Sequence, residues 1–335
     1  MVVDGVWLAI VNPAIKWSLR HSQTVRLVVL GRTRAVDYRL HLEKSKFRAI
    51  SQRLIHVHLT VIYLIICSST RRHKTQNNMS NQKPYHTKAT GKAAVTVADH
   101  STESPLKLYG SCFCPFVQRV WIALEAKKIP YQYIEVDPYE KPQSLLEVNP
   151  RGLVPALRHD DWGCYESTVL MEYLEDLKTS TPLLPDDPKT RAHCRLWSDH
   201  INRHVVPGFY RLLQEQNPEK QVEHATELRN AFETLIKAAH PEGPFFVGPH
   251  ISFVDVQVAP WLIRLRRVMK PYRGWPDAEN GTRWAAWVNA VESNEHVQAT
   301  TSTDALYLES YARYAENRPN TSQVANAINS GRGLP

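Results

Sequence analysis

The chain lacks the marks of several protein classes. Its longest apolar run, Leu54 to Cys67, is about 14 residues and includes His56 and His58, where a membrane-spanning helix needs about 20. No stable membrane insertion is therefore expected. The five cysteines (Cys67, Cys112, Cys114, Cys164 and Cys194) are odd in number and widely spread. That is no disulfide framework, and it favours a reducing, cytoplasmic setting. There is no Cys-x-x-Cys pair, because the third position after Cys114 is Val117. The 15 His residues form no metal-ligand spacing, so no metal is expected. No internal repeat is present. Glycosylation-type triplets at Asn280 and Asn320 carry meaning only on the secretory path.

Basic surplus is also missing from most of the chain. Of the 41 Lys and Arg residues, 13 fall in residues 1–78, beside only 3 Asp and Glu; the rest of the chain holds 28 basic and 30 acidic residues. Beyond residue 78 nothing is left over to hold nucleic acid phosphates. Residues 1–78 read as no part of the folded protein, with Met79 its natural start. An Arg-rich, acid-poor leader also resembles a transit peptide, which would make the setting mitochondrial. Residues 79–104 are polar and aperiodic. The whole of 1–104 is thus expected to be a disordered or non-native extension.

What is present turns on Cys112-Phe113-Cys114-Pro115-Phe116-Val117-Gln118-Arg119-Val120. Leu106–Tyr109 before it suits a short strand. Phe116, Val117, Val120, Trp121 and Leu124 after it recur at helical spacing. Pro115 suits a first helical turn, where its missing N–H costs nothing. Cys114 then faces the free amides of a helix N-terminus, where a thiolate is stabilised. An ordinary cysteine has a pKa of about 8.5, and a helix end contributes roughly 0.3–2 kcal/mol at about 1.36 kcal/mol per unit. The sequence therefore predicts an exposed Cys114 with a thiol pKa lowered towards about 7.

Around this stretch the spacing predicts a β-α-β-α-β-β-α domain over 105–178, with Pro155 inside a strand as an edge, a bulge or a cis bond. Residues 179–188, with three prolines, read as a linker. An all-helical domain follows over 189–317, opened on one helix by the Ser252-Phe253-Val254-Asp255 capping box. Residues 318–335 read as a loose tail.

Four segments carry a resemblance: Phe113-Cys114-Pro115-Phe116, Asn149-Pro150 with Gly152-Leu153-Val154-Pro155, Glu166-Ser167, and the Ser252/Asp255 box. Over residues 105–317 the chain resembles cysteine-type glutathione transferases, closest to the omega class. The resemblance implies an α/β thioredoxin-like domain followed by an all-α domain, usually as a homodimer, with glutathione as co-substrate. It implies that Cys114 forms a mixed disulfide with glutathione and that Phe116 lies in the glutathione site. Val154, before a cis-Pro155, would pair its backbone with the cysteinyl group. Glu166 and Ser167 would hold the γ-glutamyl end, and Lys141 the glycine carboxylate. Trp287, with Tyr311, would line the second-substrate pocket. The chemistry agrees. Glu166 can accept from an ammonium, Ser167 and its helix N-terminus can receive a carboxylate, and Lys141 supplies a point charge.

The expected activity is glutathione-dependent thiol transfer or reduction of a small disulfide or of dehydroascorbate. Alternatives are a conjugating transferase that activates glutathione through Tyr109 or Ser111 and acts on an electrophile, a glutathionyl-quinone reductase, and a non-enzymatic regulatory or channel-like relative. In the quinone reductases a Trp usually follows the Pro, where this chain has Phe116.

Overall fold

The computed structural model describes residues 85–178 and 181–335, and the backbone of three strands nearer the N-terminus. Contacts divide the chain into two units, Met1–Gln82 and Lys83–Pro335. In the first, β1 (Ile15–Leu19), β2 (Thr24–Leu30) and β3 (Ala35–His41) form an antiparallel meander, with Val29 opposite Ile15 on one side and Val36 on the other. These strands fall within the segment expected to be disordered or non-native. β2 reads Thr-Val-Arg-Leu-Val-Val-Leu, and β-branched residues of this kind suit strands. The apolar run Leu54–Cys67 and Met79 lie outside the described residues.

The second unit begins before the sequence boundary at 105. Helix α1 (Gly91–Asp99) buries Ala93 and Thr96. Its Lys92 Nζ donates to Gln298 Oε1 at 2.6 Å and its Thr96 Oγ1 to Ala299 O at 2.7 Å. Before the helix, the Ala89 amide donates to Glu135 Oε1 at 2.5 Å. Residues 85–104 are thus not a disordered lead-in. Their inward face is built from Ala and Thr, too small and polar to register as an apolar period.

The next elements are β4 (Leu106–Gly110), α2 (Pro115–Lys127), β5 (Gln132–Glu135), α3 (Gln143–Val148), β6 (Ala156–His159), β7 (Trp162–Tyr165) and α4 (Ser167–Asp176). The sheet order is β5-β4-β6-β7, with β4 parallel to β5 and antiparallel to β6. α2 and α4 cover one face. On the other, Tyr109, Val136, Leu145, Val148 and Ala156 form a second core cluster under α3. This is a thioredoxin-like domain, as expected.

Residues 179–188 are more than a plain linker: Leu183 and Leu184 are buried and both donate their amides to the Glu175 carboxylate. That carboxylate also pairs with Lys127 Nζ at 2.8 Å, with both side chains almost fully buried.

The helical domain comprises α5 (Pro188–His200), a π turn (Ile201–Val205), α6 (Val206–Gln214), α7 (Pro218–Lys237), α8 (Phe253–Arg264), a second π turn (Leu265–Met269), α9 (Lys270–Arg273), α10 (Arg283–Ser293), α11 (Glu295–Ala299) and α12 (Asp304–Ala315). Every residue of α8 is buried, which marks it as the domain's central helix. Its N-terminus is held by the capping box read from the sequence. Asp255 accepts from the Ser252 amide (2.8 Å), Ser252 Oγ (2.6 Å), the Phe246 amide (2.9 Å) and Trp287 Nε1 (2.6 Å). Trp287 is therefore no pocket residue: it is fully buried and its ring N–H is committed to Asp255. Helical spacing cannot separate a core-facing aromatic from a pocket-facing one.

The last segment is also ordered rather than loose. α13 (Gln323–Asn329) is capped by Ser322 Oγ, which accepts from the Ala325 amide at 3.0 Å. It is anchored by Gln214 Nε2 donating to Asn329 Oδ1 at 2.9 Å. Polar residues that resemble tail sequence serve as caps and anchors.

Asp255→Ala leaves several buried donors unpaired, at about 1–3 kcal/mol each. Urea unfolding of the variant should show a loss of at least about 3 kcal/mol; a loss under about 1 kcal/mol contradicts the role of Asp255 in fixing α8.

Candidate functional site

Cys114 is the N-cap of α2, with Pro115 at the first helical position. The β4–α2 turn is closed by the Cys114 amide donating to Ser111 O at 3.0 Å. The sulfur is only partly accessible, on a cavity of about 610 Å³ lined by both domains. Its thiol donates to Val154 O across 3.7 Å, and the Val154–Pro155 bond is cis.

The sequence alone predicts a lowered thiol pKa; the structure reverses the direction. Burial pushes the Cys114 thiol above its ordinary value. The amides of Val117 and Phe116 and the Arg264 and Arg119 guanidiniums oppose that push without overcoming it. Exposure at a helix tip is the mistaken step, since the helical domain encloses the sulfur. Cys112 is more deeply buried, donates to His86 O at 3.3 Å, and is pushed up to about 12 by burial.

Most of the expected site residues reach this cavity. Phe116, Lys141, Val154, Pro155, Glu166, Ser167 and Tyr311 all line it; Trp287 does not. Phe116 packs edge-on to Trp261, with centroids 5.2 Å apart. Lys141 lies against Gly152, whose φ is +62° and where an added Cβ would meet Lys141 Cδ at 2.6 Å. The positive φ is what favours glycine there, since the lysine side chain can move aside. Glu166 is exposed, sits at φ 76°, and its carboxylate meets Arg151 Nη1 at 2.7 Å. A non-glycine residue at such an angle costs about 1–3 kcal/mol, and such costs cluster at functional sites. The Arg151 partner is not foreseen by the sequence. Ser167 is buried at the start of α4. Tyr311 lines the cavity but is not free, since its hydroxyl accepts from Arg264 Nε at 2.7 Å and lies 3.2 Å from Phe113 O.

Two arginines escape the sequence reading. Arg119, in the Cys114 stretch itself, is buried; its Nε donates to Gln257 O (2.7 Å) and its Nη1 to Ser167 Oγ (3.3 Å). Its guanidinium lies 4.3 Å from the centre of the Trp261 ring. Arg264 reaches from α8 to Phe113 O (3.0 Å), Gln118 Oε1 (2.7 Å) and Tyr311. The available signal is charge within apolar helical stretches, which argues for a buried, partnered cation. Also unforeseen are Tyr210, from α6, Asn202, from the π turn, and Asn320–Gln323, before and at the start of α13, all of which line the cavity. π turns recur at functional sites.

A thioredoxin-like domain with a cysteine at its first helix, faced by a cis-proline and closed by an all-helical domain, defines a two-domain thiol-handling class. Similarity to known proteins makes it specific. The family description "Glutathione S-transferase, N-terminal domain" matches residues 108–182, and "Glutathione S-transferase, C-terminal domain" matches residues 203–290. Glutathione S-transferase omega-1 of Sus scrofa is 33% identical over 165 residues, covering 49% of this chain and 68% of that protein. The probable glutathione S-transferase DHAR1, cytosolic, of Oryza sativa subsp. japonica is 33% identical over 54% of this chain and 81% of its own. The crystal structure of glutathione transferase Omega 3C from Trametes versicolor is 44% identical, covers 68% of this chain and 98% of its own, and superposes with a TM-score of 0.64. The chain belongs to the glutathione S-transferase family. Among the described residues, no helix is long and apolar enough to cross a membrane, and no cluster of His, Cys, Asp and Glu is placed to hold a metal ion.

Because burial raises the thiol, alkylation of Cys114 by iodoacetamide in the free protein should keep accelerating beyond pH 8.5, the ordinary cysteine value of about 8.5 notwithstanding. Peptide-resolved mass spectrometry across pH reads this. A midpoint near 7 contradicts an upward shift.

Proposed function

We propose that this chain is a glutathione-dependent thioltransferase or reductase working through a Cys114–glutathione mixed disulfide. One observation carries the reading: the cavity's reactive side chain at the helix start is a cysteine, within reach of the Val154 carbonyl beside a cis-proline. The Cys114 thiolate attacks the glutathionyl sulfur of a glutathionylated substrate. The new S–S bond forms as the old one breaks, and the electron pair leaves on the substrate sulfur, which takes up a proton. A second glutathione thiolate attacks the mixed disulfide, releasing oxidised glutathione and the Cys114 thiolate. An external thiol is required, since no Cys-x-x-Cys partner exists and Cys112 is buried and bonded to His86 O. Small mixed disulfides and dehydroascorbate are the proposed substrates.

The raised thiol fits this cycle if binding itself activates it. The Val154 carbonyl that holds the thiol proton is the group expected to pair with glutathione's cysteinyl amide. Competition for that oxygen removes the hydrogen bond favouring the protonated sulfur.

The conjugating alternative is narrowed by burial. Tyr109 belongs to the core cluster under α3, leaving Ser111, which lines the cavity, as its only proposed activator.

A homodimer is proposed on one face. Trp162 packs at a tilt against Tyr173, with ring centroids 4.7 Å apart, Val169 lies one turn before Tyr173, and Leu196 adjoins Arg195, which grips Glu172 with two bonds. Trp162, Val169 and Leu196 are 44%, 52% and 61% exposed, large apolar groups that a partner subunit would cover.

Cys114→Ala should abolish glutathione-dependent reduction of a mixed disulfide such as that of glutathione with cysteamine. A fully active variant sinks the mechanism, and a Cys114→Ala protein that conjugates glutathione to an aromatic halide supports Ser111 instead. Leu196→Glu should shift the protein from dimer to monomer in light scattering; an unchanged mass refutes that interface.

A further inference from the structure

We propose that Arg119 is a positioning residue with two targets: it presents the Ser167 hydroxyl to the α-carboxylate of a bound γ-glutamyl group, and it lends its charge to the Cys114 sulfur. The inference deepens the proposed function and rests on its assignment of Cys114 and Ser167.

The geometry is specific. Arg119 is 1% exposed yet lines the same cavity as Cys114 and Ser167. Its Nη1 donates to Ser167 Oγ at 3.3 Å. A hydroxyl oxygen that accepts from a guanidinium must point its own proton elsewhere, so Ser167 is set as a donor. A carboxylate is the matching acceptor at a helix N-terminus. The Nε is committed to Gln257 O at 2.7 Å. The remaining nitrogen, Nη2, is buried with no partner among the described residues. A buried donor without a partner costs about 1–3 kcal/mol, more when charged, and the charge of an anion beside Ser167 offsets part of that cost. Beside it Asn202 Oδ1 and Gln257 Oε1 are also unpaired, while both side-chain amides donate to Thr168 Oγ1, at 3.3 and 3.0 Å. The start of α4 thus holds a spare cationic donor and, in Asn202, a spare acceptor on residues that line the cavity, the complement of an α-amino acid's carboxylate and ammonium.

The link to the sulfur is electrostatic. Ionisable groups that act on Cys114 include Arg264 and then Arg119, with Cys112, Tyr133, Tyr210, Tyr311 and Tyr314. Of these only the two guanidiniums are charged at neutral pH. Arg264 is consumed by the Phe113, Gln118, Pro260 and Tyr311 bonds, which leaves Arg119 as the cation with capacity to respond to a ligand.

Arg119→Met and Arg119→Lys test this with two readouts that need no turnover. The first is the pH midpoint of Cys114 alkylation. The second is calorimetric binding of glutathione, and of glutathione whose γ-glutamyl carboxylate is a carboxamide, in a Cys114→Ser background. The parent should prefer glutathione over the carboxamide about tenfold or more. Arg119→Met should erase most of that preference and raise the midpoint by about one unit. Arg119→Lys should hold the midpoint within a few tenths of the parent but still lose preference, because an ammonium lacks the planar fork. A folded Arg119→Met protein with unchanged midpoint and preference overturns the proposal. If Arg119→Met fails to fold, Arg119→Lys decides: full retention of the preference, or a midpoint raised as far as one unit, overturns it. Loss of thioltransferase activity in Cys114→Ala alongside such a result would leave the function standing and this role refuted.

Discussion

The site depends on one constraint: a single sulfur enclosed at the meeting of two domains, with a buried guanidinium from each facing it. Enclosure disfavours the thiolate; Arg119 from α2 and Arg264 from α8, with the amides of Val117 and Phe116, act against that penalty. Neither arginine comes free of cost, since a buried cation is costly unless hydrogen-bonded and paired. Arg264 meets that demand fully, with oxygen partners from Phe113, Gln118, Pro260 and Tyr311. Arg119 meets it in part, through Gln257, Ser167 and the Trp261 face.

The same bonds that set the sulfur's surroundings also hold the domains together. Arg264 crosses from the helical domain to the carbonyl just before Cys114, Arg119 crosses the other way to the backbone of α8, and Gln118 reaches Thr300 O at 3.1 Å. Gln118 and Arg119 of α2 therefore dock the domains beside the sulfur that caps the same helix. α8 can accept these charges because its own start is fixed by Asp255, whose four donors come from three segments of the helical domain.

Much of this is legible in the sequence, for local reasons. The strand before Cys112 and the Pro after Cys114 specify the turn that caps α2, and Ser252 with Asp255 specifies the cap of α8. The cis bond at Pro155 is one of three conformations that a proline in a strand allows, and the family resemblance selects it. The sequence falls short where tertiary context decides. Trp287 has the spacing of a helix face, but only the position of Asp255 shows which face. α1 and α13 bury small or polar residues and so carry no apolar period. Arg119 and Arg264 go unnoticed because periodicity treats charge as a mark of surface. The direction of the Cys114 shift escapes because a helix end is weighed without the domain that closes over it.

The central claim is that glutathione becomes covalently joined to this one sulfur. The most direct measurement is intact mass of the protein after incubation with oxidised glutathione, followed by peptide mapping. The account predicts one glutathionyl adduct, on Cys114, removed by added reduced glutathione. An unmodified Cys114, with the adduct absent or carried by Cys164, would contradict it.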